Sequence, residues 1–119
     1  MKVLVVDDSL GLIKAIKNAL SKNGYDVELA DRYNSGLKIA QARDFDIVIS
    51  DFEMPDGNGL ELIKFLSRNH VRHKPAYILM SAYPEVTRQK DYHNSGVSDF
   101  LLKPFNLKDL LDLVKKYAR

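Results

Sequence analysis

Ile47-Val48-Ile49-Ser50-Asp51-Phe52-Glu53-Met54-Pro55-Asp56-Gly57-Asn58-Gly59 decides how this chain is read. Three β-branched apolar residues in succession suit a short strand buried on both faces, and the run stops at a carboxylate. Pro55, Gly57 and Gly59 then make a turn-rich loop, so Asp51 stands where a strand hands over to a loop. Three other apolar runs stop in the same manner. Val3-Leu4-Val5-Val6 ends at Asp7-Asp8, Ala76 to Met80 ends at Ser81, and Phe100-Leu101-Leu102 ends at Lys103-Pro104. In a parallel sheet all such ends lie on one edge, so carboxylates, a hydroxyl and an ammonium would converge there in a shallow pocket.

The segments between these runs read as helices. Leu12, Ile13, Ile16, Ala19 and Leu20 recur with a period near 3.6 after Ser9, a competent cap, and Asn23-Gly24 is a stop signal. Val27 to Ala30 reads as a further strand, less apolar and so nearer an edge. Ser35 to Ala42 predicts a short second helix, and Leu60, Leu62, Ile63 and Leu66 mark a third. Pro84 to Asn94 predicts a short fourth helix of low intrinsic stability. Its end, Asp91-Tyr92-His93-Asn94, is expected to be mobile or to bury its tyrosine on a partner. Leu107, Leu110, Leu111, Val114 and Tyr117 define a final amphipathic helix capped by Asn106. Strands alternating with helices specify an α/β fold, a doubly wound five-stranded parallel sheet with five helices, with the ligand site at the carboxyl ends of the strands.

A chain of 119 residues makes one domain, residues 1 to 119, large enough to bury a core without staples. The absence of cysteine excludes disulfides and thiolate metal sites. No apolar run approaches the length of a membrane span, and Met1 leads directly into the first strand, so a cytoplasmic location without membrane contact is the default. A net charge of +2 is too small to argue for direct nucleic-acid binding by this domain. The C-terminal segment carries Lys103, Lys108, Lys115, Lys116 and Arg119, which read as a solvated helix face with cations at its C-terminus, with a partner-binding face as the alternative. His70, His73 and His93 fall in or beside polar stretches and suit neither a metal site nor a phosphodonor.

Each strand-end group has a plain reading alone. Asp7, Asp8 and Ser9 can all cap a helix, Ser81 can serve a turn, and Lys103 can be a surface lysine. Taken together they have a specific chemistry. Crowded carboxylates repel unless a divalent cation neutralises them, and adjacent acids at a strand end can hold a hydrated magnesium ion, one directly and one through water. A carboxylate nucleophile must be exposed, rigid and beside such an ion. Ser81 adds a hydroxyl donor, and Lys103 a fixed positive charge for phosphate oxygens. Pro104 removes one backbone donor and fixes the chain direction just after the lysine.

The whole chain resembles the receiver domain of two-component response regulators, a flavodoxin-like topology. The resemblance is carried by Val3-Leu4-Val5-Val6-Asp7-Asp8-Ser9, by Ile47 to Gly57 around Asp51, and by Asp99-Phe100-Leu101-Leu102-Lys103-Pro104-Phe105. It implies that Asp51 accepts a phosphoryl group from the phosphohistidine of a sensor histidine kinase. It implies a magnesium ion, replaceable by manganese, held by Asp8, Asp51 and the backbone carbonyl of Glu53, with Asp7 reaching it through water. Lys103 would contact the phosphate, and Ser81 would turn inward to hydrogen-bond it. Phe100 occupies the family's aromatic switch position and would swing inward with Ser81. That movement would alter the face made by the fourth helix, fifth strand and fifth helix, to bind a downstream protein, relay phosphate or form a homodimer on phosphorylation. Glu53 is an extra acid that can approach Lys103 or hinder attacking water, and bulky Tyr83 can shield the acyl phosphate; slow self-dephosphorylation is expected. Phe100 lacks a hydroxyl, which leaves its switch to packing alone.

Three other readings share parts of this pattern. An aspartate-nucleophile phosphatase of the haloacid dehalogenase class places its nucleophile after the first strand in an Asp-x-Asp pattern, which Asp7-Asp8-Ser9-Leu10 does not match. A flavin binder would need hydroxyls and glycine in that first loop, where two aspartates would repel its phosphate. A degenerate receiver acting only as a protein-interaction module is disfavoured because every chemical group is present. The chain runs two residues past Tyr117, which fits either a free-standing receiver or part of a longer regulator.

Overall fold

In the computed structural model, residues 1–69, 74–88 and 95–118 are described. The elements follow in order as β1 (Lys2–Val6), α1 (Leu10–Lys22), β2 (Asp26–Ala30), α2 (Tyr33–Ala42), β3 (Ile47–Asp51), β4 (Glu53–Met54), β5 (Gly57–Asn58), α3 (Gly59–Asn69), β6 (Ala76–Ser81), a 3-10 helix (Pro84–Arg88), β7 (Asp99–Leu102) and α4 (Leu107–Tyr117). Five strands form one parallel sheet in the order β2-β1-β3-β6-β7. The expected edge position of the second strand is borne out, and the winding reverses between β1 and β3, where the carboxyl ends open a crevice.

Alternation along the strands divides the core in two. Val3, Val5, Ile47, Ile49, Ile78, Met80 and Leu101 meet Ile13, Ile16, Leu20, Leu110 and Val114 of α1 and α4. Leu4, Val6, Val48, Tyr77 and Leu79 meet Leu62, Ile63 and Leu66 of α3, with Leu37 and Ile39 of α2 packed alongside. Every residue of β3 is buried, Asp51 included. A carboxylate at the end of so rigid a strand has little freedom of position.

The turn signals mostly hold. Asn23 closes α1, and Gly24 adopts a left-handed φ of 87°, which glycine tolerates without Cβ strain. Asn106 caps α4 by accepting the Asp109 N–H at 2.8 Å. Ser9 differs: it occupies the cap position of α1, but its hydroxyl makes no cap bond, and its N–H donates to Asp7 Oδ1 at 2.9 Å. The second helix begins at Tyr33 and not at Ser35. The loop after Asp51 contains a small antiparallel hairpin, β4 with β5. Among the described residues there are four α-helices, with a 3-10 turn at Pro84–Arg88 where the fourth of five was expected. The rest of that expected helix, Asp91-Tyr92-His93-Asn94, and the three histidines at 70, 73 and 93 lie outside the described residues. No helix among the described residues is long and apolar enough to cross a membrane.

Candidate functional site: an acidic cluster at the sheet edge

The ends of β1 and β3 deliver Asp7, Asp8 and Asp51 to one place. One carboxylate oxygen from each lies within 4.8 Å of the other two. Asp7 is completely buried and Asp51 is 7% exposed, whereas Asp8 faces solvent. Asp7 is held from two sides: Oδ1 accepts the Ser9 N–H, and Oδ2 sits 2.7 Å from Lys103 Nζ. The same ammonium lies 3.2 Å from Asp51 Oδ1. Lys103 leaves β7 through the bond of its own N–H to Ser81 O at 2.7 Å, and Pro104 follows through a cis peptide bond.

One ammonium shared between two carboxylates cannot satisfy three. The Asp51 carboxyl is pushed up to about 6, chiefly by burial and then by the charge of Asp7; Lys103 opposes the shift and Asp8 adds to it. Burial works against the Lys103 ammonium, but its hydrogen bond to Asp7 and the charges of Asp51 and Asp7 outweigh that and raise its pKa. With all groups ionised, three carboxylates against one ammonium leave two uncompensated negative charges. The donor set, carboxylate oxygens open to solvent on the Asp8 side, therefore fits a hard divalent cation in both charge and ligand chemistry.

The remaining sequence-predicted residues surround this cluster without all joining it. Ser81 ends β6, one residue beyond the Asp51–Met80 pairing, and is buried. Its Oγ is turned to the backbone of Tyr83, accepting that N–H at 2.9 Å and lying 3.4 Å from that carbonyl oxygen. Phe100 pairs with Leu79 across the β6–β7 ladder and is partly buried on the face that Leu79 shares with α3. Alternation places Ser81 on that same face, so Ser81 and Phe100 adjoin one packed layer. Glu53 is exposed on β4. It makes no ion pair with Lys103 among the described residues; its carboxylate instead accepts the Tyr83 hydroxyl, and this bond, reinforced by the charges of Glu53 and Glu85, raises the tyrosine's pKa.

Sequence reasoning missed two contributors. Gly59, at the start of α3, lies against the Asp51 backbone so closely that a Cβ there would stand 2.1 Å from Asp51 O and 2.7 Å from Ser50 Oγ. Asp56 caps α2 from the loop after Asp51, with Oδ1 accepting the Tyr33 N–H at 2.8 Å and Oδ2 the Asn34 N–H at 3.0 Å. A glycine soon after the acceptor and an acid in its loop were both visible as letters, but their partners were not.

Comparison with known proteins agrees with this geometry. Over 117 residues, 98% of the chain, it is 35% identical to response regulator protein FleR of Pseudomonas aeruginosa, and it covers 24% of that protein. Over its full 119 residues it is 30% identical to transcriptional regulatory protein CusR of Escherichia coli, covering 52% of it. The chain thus spans about a quarter to a half of the length of these relatives. Chemotaxis response regulator CheY4 of Vibrio cholerae superposes with a TM-score of 0.88 at 30% identity over 98% of both chains. Response regulator TrrA of Thermotoga maritima, solved in complex with Mg2+-BeF, superposes at 0.85 with 29% identity, over 98% of both chains. Residues 3–115 match the response regulator receiver domain, and the chain belongs to that family.

Proposed function

We propose that this domain is a phosphorylation-activated switch whose acceptor is Asp51. The observation that carries the reading is the Lys103 ammonium bridging Asp7 and Asp51 beside an exposed Asp8, which leaves a charge deficit that a divalent cation fits. An Asp51 oxygen attacks the phosphorus of a phosphohistidine on a sensor histidine kinase. The P–O bond forms as the P–N bond breaks, the electron pair stays on the ring nitrogen, and the histidine leaves as neutral imidazole with the proton already carried on its other nitrogen. Lys103 binds a phosphoryl oxygen, and Asp7 holds that lysine in place. Asp8, Asp51 and the Glu53 carbonyl would hold Mg2+ or Mn2+, with Asp7 acting through water. The ion would neutralise charge developing on the phosphoryl oxygens.

The resting hydrogen bonds of Ser81 define what must change. Its hydroxyl would leave the Tyr83 backbone to bond the new phosphoryl group, and Phe100 would repack on the layer they share. The surface around β7 and α4 would then bind a downstream protein, a second copy, or a phosphorelay partner. The domain would promote its own phosphorylation and dephosphorylation without being an enzyme for other substrates. Work in the cytoplasm, without membrane or direct nucleic-acid contact, accords with this reading.

The test is incubation with acetyl phosphate and Mg2+ followed by intact mass. A gain of about 80 Da is expected, lost in Asp51→Asn and without the metal. No gain under conditions that label a known receiver would favour an interaction module lacking the chemistry.

The lifetime of the product is a second expectation. Tyr83 and Glu53 join across the loops after Ser81 and Asp51, and their pairing narrows the approach of water to an acyl phosphate on Asp51. Dephosphorylation is expected to take minutes or longer at neutral pH, and Tyr83→Ala to accelerate it several-fold. A wild-type lifetime of seconds would contradict this, as would a variant no faster than wild type.

A further inference from the structure

The loop after Asp51 is fastened to two helix N-termini, from the turn of its hairpin and from the hairpin's last residue. Asp56 gives both carboxylate oxygens to the first amides of α2, 2.8 Å from Tyr33 N and 3.0 Å from Asn34 N. Asn58 Oδ1 accepts the Glu61 N–H of α3 at 2.8 Å. Arg32, the residue at α2's own cap position, makes no side-chain cap bond, so α2 takes its cap from a segment more than twenty residues away. The contact is not only polar. A Cβ on Gly57 would lie 2.7 Å and 2.9 Å from ring atoms of Tyr33, so the loop backbone rests directly on that ring. Tyr33 is itself packed against the buried layer that holds Leu4, Val48 and Leu79. Glu53 pairs with Asn58 and Met54 with Gly57, so β4 is paired to one of the two capping residues and to the glycine that lies between them.

We propose that Asp56 is a positioning residue for the acidic cluster: by capping α2 from outside that helix, it fixes the hairpin and with it the Glu53 carbonyl offered to a divalent cation. This rests on the proposed function for the cation itself. The physical case is that β4 and β5 are only two residues each and cannot fix their own position. Side chains that orient a ligand from one step away commonly change metal affinity by tenfold or more. Linkage makes the effect reciprocal: an ion bound to the Glu53 carbonyl stabilises the hairpin, hence the cap, so saturating Mn2+ slows exchange of the Tyr33 and Asn34 amides.

The experiment compares wild type, Asp56→Ala, Asp56→Asn and Leu37→Ala. Leu37→Ala weakens α2 by packing alone and leaves the loop bonds in place. Mn2+ affinity is measured with the ion alone, beside thermal midpoints and metal-free amide spectra. Asp56→Ala is expected to bind Mn2+ about tenfold more weakly and to shift the amides of Asp51 to Met54. Asp56→Asn, which keeps one acceptor oxygen, should fall between it and wild type. Leu37→Ala should lower the midpoint with Mn2+ affinity unchanged. Wild-type affinity in Asp56→Ala, or an equal loss in Leu37→Ala, overturns the proposal. If wild type itself binds no Mn2+, the metal reading fails, and the spectra decide: unshifted Asp51 to Met54 amides in Asp56→Ala overturn the positioning role, and shifted ones support it.

Discussion

Lys103→Ala is expected to destabilise the metal-free protein by about 3 kcal/mol at about pH 7.5, among the largest single effects available on this surface. Asp7 is completely buried, and its Oδ2 has the Lys103 ammonium at 2.7 Å. Removing that ammonium leaves a buried carboxylate beside two others, with no other ion pair to Asp7 among the described residues. The lysine side chain is 22% exposed, so solvent softens the loss toward the lower end of the range seen for broken buried pairs. Two agents should restore stability, and both are positive: a proton and a divalent cation. Without the lysine the Asp51 carboxyl rises further above about 6, so the folded variant binds more protons than the unfolded chain across mildly acid pH. Stability of the variant then rises as pH falls, and the deficit narrows on acidification. Millimolar Mg2+ should narrow it too. Lys103→Met, which keeps an apolar stem, separates lost charge from lost packing and should resemble Lys103→Ala. Urea melts in EDTA read the effect directly. Either variant within about 0.5 kcal/mol of wild type would show that Asp7 finds its compensation elsewhere.

The strand ends were legible because their signal is local. An apolar run that stops at Asp7, Asp51, Ser81 or Lys103 needs no distant partner to be recognised, and parallel pairing does the rest. What escaped was pairing between loops. Ser9 looked like a cap, yet the buried Asp7 carboxylate takes its N–H and its hydroxyl makes no cap bond. The second helix was placed at Ser35 because the acid that caps its true start, Asp56, comes from the loop after β3. Of the two roles the sequence allows Glu53, approach to Lys103 or hindrance of attacking water, the first is not taken: Lys103 is occupied by Asp7 and Asp51, and Glu53 takes the Tyr83 hydroxyl. In each case the residue was identified and its partner was not; for Lys103 and Asp7, β1 and β7 have two strands between them, and sequence separation says nothing of that distance.

Asp51→Asn is expected to stabilise the metal-free protein by about 1–2 kcal/mol at about pH 7.5 while abolishing phosphoryl uptake. Burial and the Asp7 charge push the Asp51 carboxyl up to about 6, against about 3.9 for an unfolded chain. The raised value means that the folded protein holds this proton more tightly than the unfolded chain. Wild-type stability from this group is complete below about pH 4, falls as pH rises, and is fully lost above about 6. Unscreened, that gap would amount to a little under about 3 kcal/mol, and solvent at the mouth of the site reduces it. Asparagine carries no charge and escapes the penalty, so its advantage should be present at about pH 7.5 and nearly gone near pH 4. Mg2+ should reverse the order if Asp51 is the ligand proposed, because an ion that binds only the folded wild type adds stability that the variant gains weakly. Urea melts at the two pH values, with EDTA and with Mg2+, separate these contributions. An asparagine variant less stable than wild type in EDTA at about pH 7.5 would mean that the carboxylate is structurally satisfied without a metal. In that case the site would not store the charge deficit on which the proposed cation binding and phosphoryl capture both rest.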